Sequence, residues 1–171
     1  LNKIAGTVFN EFMNINPKIF KAYDIRGIYP TDLNEEISYQ IARSFAQIIK
    51  EENPGKKIKI VVSRDMRLSS PSLHQEILQG FADEEIRIID IGLASAPMFY
   101  FAVTTLRADG GMQVTASHNP KDYNGFKLTR KNAMPVNGDN GIYQIRERVM
   151  NQVFKKLNKE TTVYVFSWGD E

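Results

Sequence analysis

From residue 31 to residue 55 the apolar positions fall at helical intervals. Ile37, Ile41, Phe45, Ile48 and Ile49 lie along one stripe of the chain. The spacing predicts a long helix, with Asp32 or Asn34 placed to cap its start and Asn53-Pro54-Gly55 to end it. "IKIVV" (58–62) then reads as a short, nearly all-apolar strand of the kind covered on both faces. A second amphipathic run follows, with Ser70 as N-cap, Pro71 at the first helical position, and Leu73, Ile77, Leu78 and Phe81 turned inward. His74 on this helix is expected at the surface. "IRIIDIG" (86–92) is strand-like again. Strand, helix and strand in about thirty residues make a βαβ unit, with a right-handed crossover expected.

"SAPMFYFAVTTL" predicts a further helix begun near Ser95 and Pro97, and strands are expected near 111–115 and 126–129. A last helix is expected across 139–157, with Ile142, Ile145, Val149, Val153 and Leu157 on one face. The end, "ETTVYVFSWGDE", has strand character, Val163, Val165 and Ser167 alternating against Tyr164 and Phe166. The pattern as a whole predicts an α/β fold, a mixed sheet sandwiched between helices. In such sheets ligands gather at the carboxyl ends of the strands, where loops meet helix N-termini.

Composition narrows the chemistry. The 171 residues are 42% hydrophobic and 25% charged, which fits one domain with a real core, or one plus a tail. A net charge of +2 with dispersed Lys and Arg supplies no basic field for a nucleic acid. The absence of cysteine removes disulfides, thiol catalysis and Cys-based zinc sites, and is compatible with a reducing cytoplasm. His74 and His118 are too few for a His-rich catalytic zinc site. "LNKIAGTVFNEFMNINP" holds no sustained apolar run, so neither a signal peptide nor a membrane span is expected.

The chemistry concentrates in "VTASHNPKDYNGFKLT" (114–129). Its first residues run out along one strand, and Phe126 to Thr129 run back along another. Asn119-Pro120 and Asn124-Gly125 are turn signals that fold the loop tightly. Ser117 stands at the exit of the first strand. Alternation puts Phe126 and Leu128 on one face and Lys127 and Thr129 on the other, so pairing of the strands brings Lys127 beside the serine loop. A cation there would steady an anion formed on, or carried by, that serine. The plainer reading is a hairpin whose Ser and Asn only satisfy turn backbone.

"TASHNPKDYNGFK" resembles the active-site serine loop of the α-D-phosphohexomutases, closest to the phosphomannomutase/phosphoglucomutase branch; "NGFK" favours the mannose/glucose over the glucosamine branch. "KAYDIRGIYP" (21–30) is similar to the family's early Tyr-Asp-Ile-Arg-Gly loop, and "SRDMRLSSP" (63–71) to its Arg-Asp-x-Arg-x-Ser-Ser segment. The resemblance runs from about Ile19 to Arg130. It implies that residues 19–158 are the first, catalytic-serine domain of such an enzyme, after an extension at 1–18 and before a tail of unassigned role at 159–171.

The resemblance further implies that Ser117 carries a phosphoryl group, donates it to a hexose monophosphate, and recovers the other one from a hexose 1,6-bisphosphate intermediate. Phosphate thereby moves between the C1 and C6 oxygens. Phosphoserine carries roughly −1.5 to −2 charge and needs a cation and donors around it. The family uses Mg²⁺, touching one oxygen at Ser117 and held otherwise by aspartates. Lys127 would contact substrate and assist proton transfer. Arg26 would stabilise charge near the attacking hydroxyl, its plainer reading being a surface salt bridge. His118 would hydrogen-bond phosphate or substrate oxygens, and Tyr23 would line the cleft or simply pack. Arg64, Asp65 and Asn119 would support the loops, Asp65 by pairing with Arg64 or Arg67.

The family's Asp-Gly-Asp-x-Asp metal loop, Gly-Glu-x-Ser-Gly sugar loop and Arg-x-Ser-Asn-Thr phosphate loop do not occur in the sequence. Two readings follow. In the first, the chain is the serine domain cut from a longer phosphomutase, inactive alone and partnered by the remaining domains and a hexose phosphate, with neither nucleic acid nor membrane. In the second, it is a stand-alone, non-catalytic phosphate-binding or interaction module that inherited the loop.

Overall fold

The computed structural model describes residues 14–160 and 162–166. Strands β1 (Ile25–Ile28), β2 (Lys59–Arg64), β3 (Arg87–Leu93), β4 (Gly110–Val114), β5 (Tyr123–Arg130) and β6 (Val163–Val165) form one mixed sheet in the order β1-β5-β4-β2-β3-β6. β4, β2, β3 and β6 run parallel, while β5 is antiparallel to β4 and β1 to β5. Helices α1 (Glu35–Glu52), α2 (Ser70–Asp83) and α4 (Tyr143–Asn151) lie on one side, and α3 (Ala96–Thr105) on the other. The expected α/β sandwich is what forms.

The stripe read from α1 is buried throughout, and the Ile37 N–H donates to Asn34 Oδ1 at 3.0 Å, so Asn34 is the cap. Asp32 serves elsewhere, accepting from the Ile28 N–H and from Asn16 Nδ2. Met112 and Val114 of β4 face Leu128 and Phe126 of β5, and all four enter the core under α1 and α2. The alternate positions, Gln113 opposite Lys127, therefore belong to the α3 side. Ile15, within the segment read as an extension, is buried in the main core.

Several expectations are corrected. His74 is 7% exposed, not a surface residue, because it lies at the edge of the α2 stripe where its Nε2 meets Asp90 Oδ1 of β3 at 3.1 Å. Burial would raise the Asp90 carboxyl, but the bonds from His74 and the Gly92 N–H outweigh it and hold it below its usual range. Helix α2 begins at Ser70 with Ser69 in the cap position and no side-chain cap bond. Both hydroxyls are taken by Asn124 Nδ2 of β5, at 2.8 Å to Ser69 and 3.0 Å to Ser70, which ties the helix start to the hairpin.

The helix expected over 139–157 is shorter. Gly138–Ile142 forms a wide turn fixed by a reciprocal Asn137–Asn140 capping box, and α4 ends at Asn151. Beyond it Gln40 brackets Phe154, donating to its carbonyl at 2.9 Å and accepting from its N–H at 2.7 Å. Phe154 is buried in this extended segment, while Leu157 is exposed. Asp83 of α2 accepts from the N–H groups of Leu157 and Lys159 and from the Tyr39 hydroxyl at 2.6 Å. Burial alone would raise Asp83; these bonds, with Gln79, pull its pKa down to about 2. Tyr39, desolvated and bonded to Asp83, is pushed up to about 12. The chain strapped in this way returns to the sheet, where β6 pairs with β3 from Ile88↔Val163 to Asp90↔Val165. Ser167, the last residue of the expected alternation, lies outside the described residues.

Candidate active site

β4 leaves the sheet at Val114, and the chain returns as β5 at Tyr123. Between them the loop is cross-braced. The Ser117 N–H donates to Thr115 Oγ1 at 2.9 Å, the Asn119 N–H to the Ala116 carbonyl at 3.1 Å, and the Tyr123 N–H to the Pro120 carbonyl at 3.0 Å. Ser117 is exposed and sits at φ +55°, in the left-handed region that L side chains seldom adopt. Such a conformation persists only where the surroundings over-determine it, and it is concentrated at functional sites. The Ser117 Oγ stands 3.4 Å from His118 Nδ1.

The hydroxyl opens onto a cleft of about 630 Å³ whose walls include Ser117, His118, Asn119, Asp65 and Lys127. It lies where a sheet of this topology concentrates ligands, between the loop after β4 and the N-terminal end of α3. Lys127 comes from the position opposite Gln113. Neither Lys127 nor Lys121, also in the wall, makes an ion pair among the described residues. Asp65 is neutralised by Arg67, with Nε to Oδ2 at 3.4 Å. The cleft is therefore cationic beside an exposed hydroxyl, an arrangement suited to an anionic ligand at Ser117.

The remaining predicted site residues fall outside that wall. Arg26, on β1 opposite Gly125, lies on the Lys127 side of the sheet, where its guanidinium pairs with Asp24 at 2.7 Å. Both side chains are 14% exposed, and Arg26 Nε has no partner. Gly125 makes room for it: a Cβ there would stand 3.0 Å from Arg26 Cγ and 2.1 Å from the Ile25 carbonyl oxygen. Tyr23, in the loop before β1, is 81% exposed. Arg64 ends β2, with Nη1 3.4 Å from the Asp65 carbonyl.

Among the described residues no three His, Cys, Asp or Glu side chains converge to hold a metal. The one carboxylate in the cleft, Asp65, is engaged by the Arg67 N–H, the Ser70 hydroxyl and the Arg67 guanidinium.

Two residues escaped the sequence reading. Gln113, 1% exposed, lines the cleft and donates from Nε2 to the Ala94 carbonyl at 2.9 Å; the alternation along β4 that sets it opposite Lys127 is the one signal that could have found it. Arg67 was considered only as a partner for Asp65. Its Nη1 donates to the carbonyls of Pro120 and Tyr123 at 2.7 and 2.9 Å, and its Nη2 to those of Ser117 and Asn119 at 3.0 and 2.7 Å.

The profile of the phosphoglucomutase/phosphomannomutase family, alpha/beta/alpha domain I, matches residues 17–156. The chain belongs to this family. It is 48% identical to a phosphomannomutase of Vibrio cholerae over 127 residues, which are 74% of this chain and 27% of that protein. It is also 48% identical to a Klebsiella pneumoniae phosphomannomutase over 139 residues, covering 81% of this chain and 85% of that one. Its fold matches the crystal structure of a phosphoglucomutase/phosphomannomutase family protein of Burkholderia thailandensis with a TM-score of 0.74 and 30% identity, over 90% of this chain and 33% of that one. The chain thus spans about a third or less of the Vibrio and Burkholderia proteins, in the part that corresponds to domain I of the family. None of the helices among the described residues is long and apolar enough to cross a membrane.

Proposed function

We propose that this chain is the catalytic-serine domain of a cytoplasmic hexose phosphomutase, in which Ser117 carries the phosphoryl group exchanged between the C1 and C6 oxygens of a hexose phosphate. The observation that supports it best is the exposed Ser117 hydroxyl, held in a left-handed turn at the mouth of a cleft with two unpaired lysines. Phosphoryl transfer asks a protein mainly for in-line positioning and charge stabilisation, because the transition state spreads negative charge over the equatorial oxygens. Ser117 is the phosphoryl carrier. Lys127 would offer its ammonium to the transferring group, and His118, whose Nδ1 is 3.4 Å from the Oγ, would orient or relay its proton. Arg26 lies on the same side of the sheet, its charge paired with Asp24, and would reach the transferring group only with the part of its planar fork that Asp24 leaves open. The substrate's sugar would be read by domains beyond this one, as would Mg²⁺, whose aspartate ligands are not supplied here. This domain alone is expected to show no turnover.

Intact mass measured before and after incubation with hexose 1,6-bisphosphate and Mg²⁺ tests the reading on the complete gene product. A phosphate adduct is expected on the parent and none on Ser117→Ala. No serine-dependent adduct would favour the stand-alone phosphate-binding module instead.

A further inference from the structure

An arginine in the wall of a cationic cleft, next to a serine that carries phosphate, invites the reading that it grips the phosphate. The geometry of Arg67 excludes that role. A guanidinium has five N–H groups. Four of them, on Nη1 and Nη2, are spent on the carbonyls of residues 117, 119, 120 and 123, and Nε faces Asp65 Oδ2 at 3.4 Å. All four Nη donors, the pair that would fork onto a phosphate, are spent, and Nε faces a carboxylate. The side chain is 14% exposed and is anchored at its root, because the Arg67 N–H donates to Asp65 Oδ1 at 3.1 Å and that oxygen also accepts from Ser70 at 2.6 Å.

We propose that Arg67 is the positioning residue of the serine loop: its planar fork gathers four loop carbonyls at one point, locks Ser117 in its left-handed turn, and so aims the Oγ into the cleft. The role in catalysis rests on the reading of Ser117 as the phosphoryl carrier; the loop clamp does not. The loop's internal bonds are few and local, and the Tyr29 N–H holds it at one point through the Asp122 carbonyl at 2.8 Å, whereas the guanidinium spans it from Ser117 to Tyr123 and ties it to the end of β2 through Asp65. Lysine cannot replace it. An ammonium is a compact point charge with three tetrahedral donors, so it cannot satisfy four carbonyls that converge on the two ends of a rigid plane. Each carbonyl left without a partner would turn toward water and take the turn with it.

The test has two arms. Amide hydrogen exchange is followed across residues 115–123 in the parent chain, Arg67→Lys and Arg67→Gln. Protection of the Asn119 and Tyr123 amides should fall by about tenfold or more in both variants while α1, α2 and the core strands keep theirs, the signature of local rather than global opening. Unchanged exchange in the loop overturns the proposal. In the complete gene product, the rate constant for phosphorylation of Ser117 by hexose 1,6-bisphosphate should fall about a hundredfold, the effect of misplacing a reacting group by about 1 Å. The concentration of bisphosphate giving half the maximal rate should stay within about twofold, because no Arg67 donor touches the ligand. Methylguanidinium added to Arg67→Ala should restore part of the rate. A raised half-saturating concentration at unchanged maximal rate would make Arg67 a ligand-binding residue and overturn the proposal. If even the parent takes no phosphate while the exchange arm behaves as expected, the phosphoserine reading falls and the clamp stands.

Discussion

The backbone at Ser117 allows the cost of presenting the hydroxyl to be measured directly. At φ +55° the Cβ of an L residue crowds the neighbouring carbonyl oxygen, a strain of roughly 1–2 kcal/mol that glycine does not feel. Glycine in turn loses more backbone freedom on folding, roughly 0.5–1 kcal/mol relative to alanine. Ser117 is exposed, so neither substitution opens a cavity, and both remove the same Oγ and its 3.4 Å approach to His118. The difference between Ser117→Gly and Ser117→Ala therefore reports the left-handed strain less glycine's extra loss of backbone freedom. It should leave the glycine variant more stable than the alanine one by about 0.5–1 kcal/mol. Equilibrium urea unfolding followed by far-ultraviolet circular dichroism reads this out. With a slope of roughly 2 kcal/mol per molar urea, the glycine midpoint should lie about 0.25–0.5 M higher. Both variants should fail to take phosphate, so the more stable protein is the inactive one. Equal midpoints, or a higher one for alanine, would show that the strain at this position does not exceed glycine's own cost of about 0.5–1 kcal/mol, and would remove the structural argument that the turn is held for function.

Two further outcomes follow from the packing and the buried charges. Asp83, held at about pKa 2 against an ordinary value near 3.8, adds stability that is fully present above about pH 4 and lost as pH falls toward 2; the difference is worth roughly 2 kcal/mol. Asp83→Asn should flatten the dependence of the urea midpoint on pH between 4 and 2, and an unchanged slope would mean that another carboxylate governs acid unfolding. Gly111→Ala would set a Cβ 2.7 Å from Phe99 Cε2 and Cζ and from Val103 Cγ2, so the substitution should lower stability by about 1–3 kcal/mol in thermal melts, and an unshifted melt would show that α3 can slide away from β4 without loss.

What the sequence discloses about this fold is what short-range periodicity controls. The stripe on α1 and the apolar run of β2 each state their burial within a few residues, and both were readable. The last helix was overextended for a related reason. Val153 and Leu157 continue the helical spacing, but the segment is made extended by Gln40 and Asp83, whose bonds to it span 74 to 114 positions of sequence. His74 fails similarly. Its burial depends on Asp90, sixteen residues on, in a strand whose remaining positions look purely apolar or exposed.

The site divides along the same line. Ser117, His118, Asn119 and Lys127 share one hairpin, so turn signals and strand alternation were enough to bring them together. The left-handed turn at Ser117 and its clamp were not legible, because the acceptors of Arg67 are backbone carbonyls 50 to 56 residues downstream, and a carbonyl has no letter in a sequence. That omission changes the chemistry assigned to the cleft. Counted from the sequence, Arg67 looks like one more cation for an anion; counted by donors, both ends of its fork are spent on the loop. The positive charges in the wall that remain free to meet a phosphate are those of Lys121, within the loop that Arg67 holds, and Lys127 on β5. On the proposed reading, binding of the anion and presentation of the nucleophile fall to separate residues. For that reason the substitution of Arg67 should damage the rate and spare the affinity.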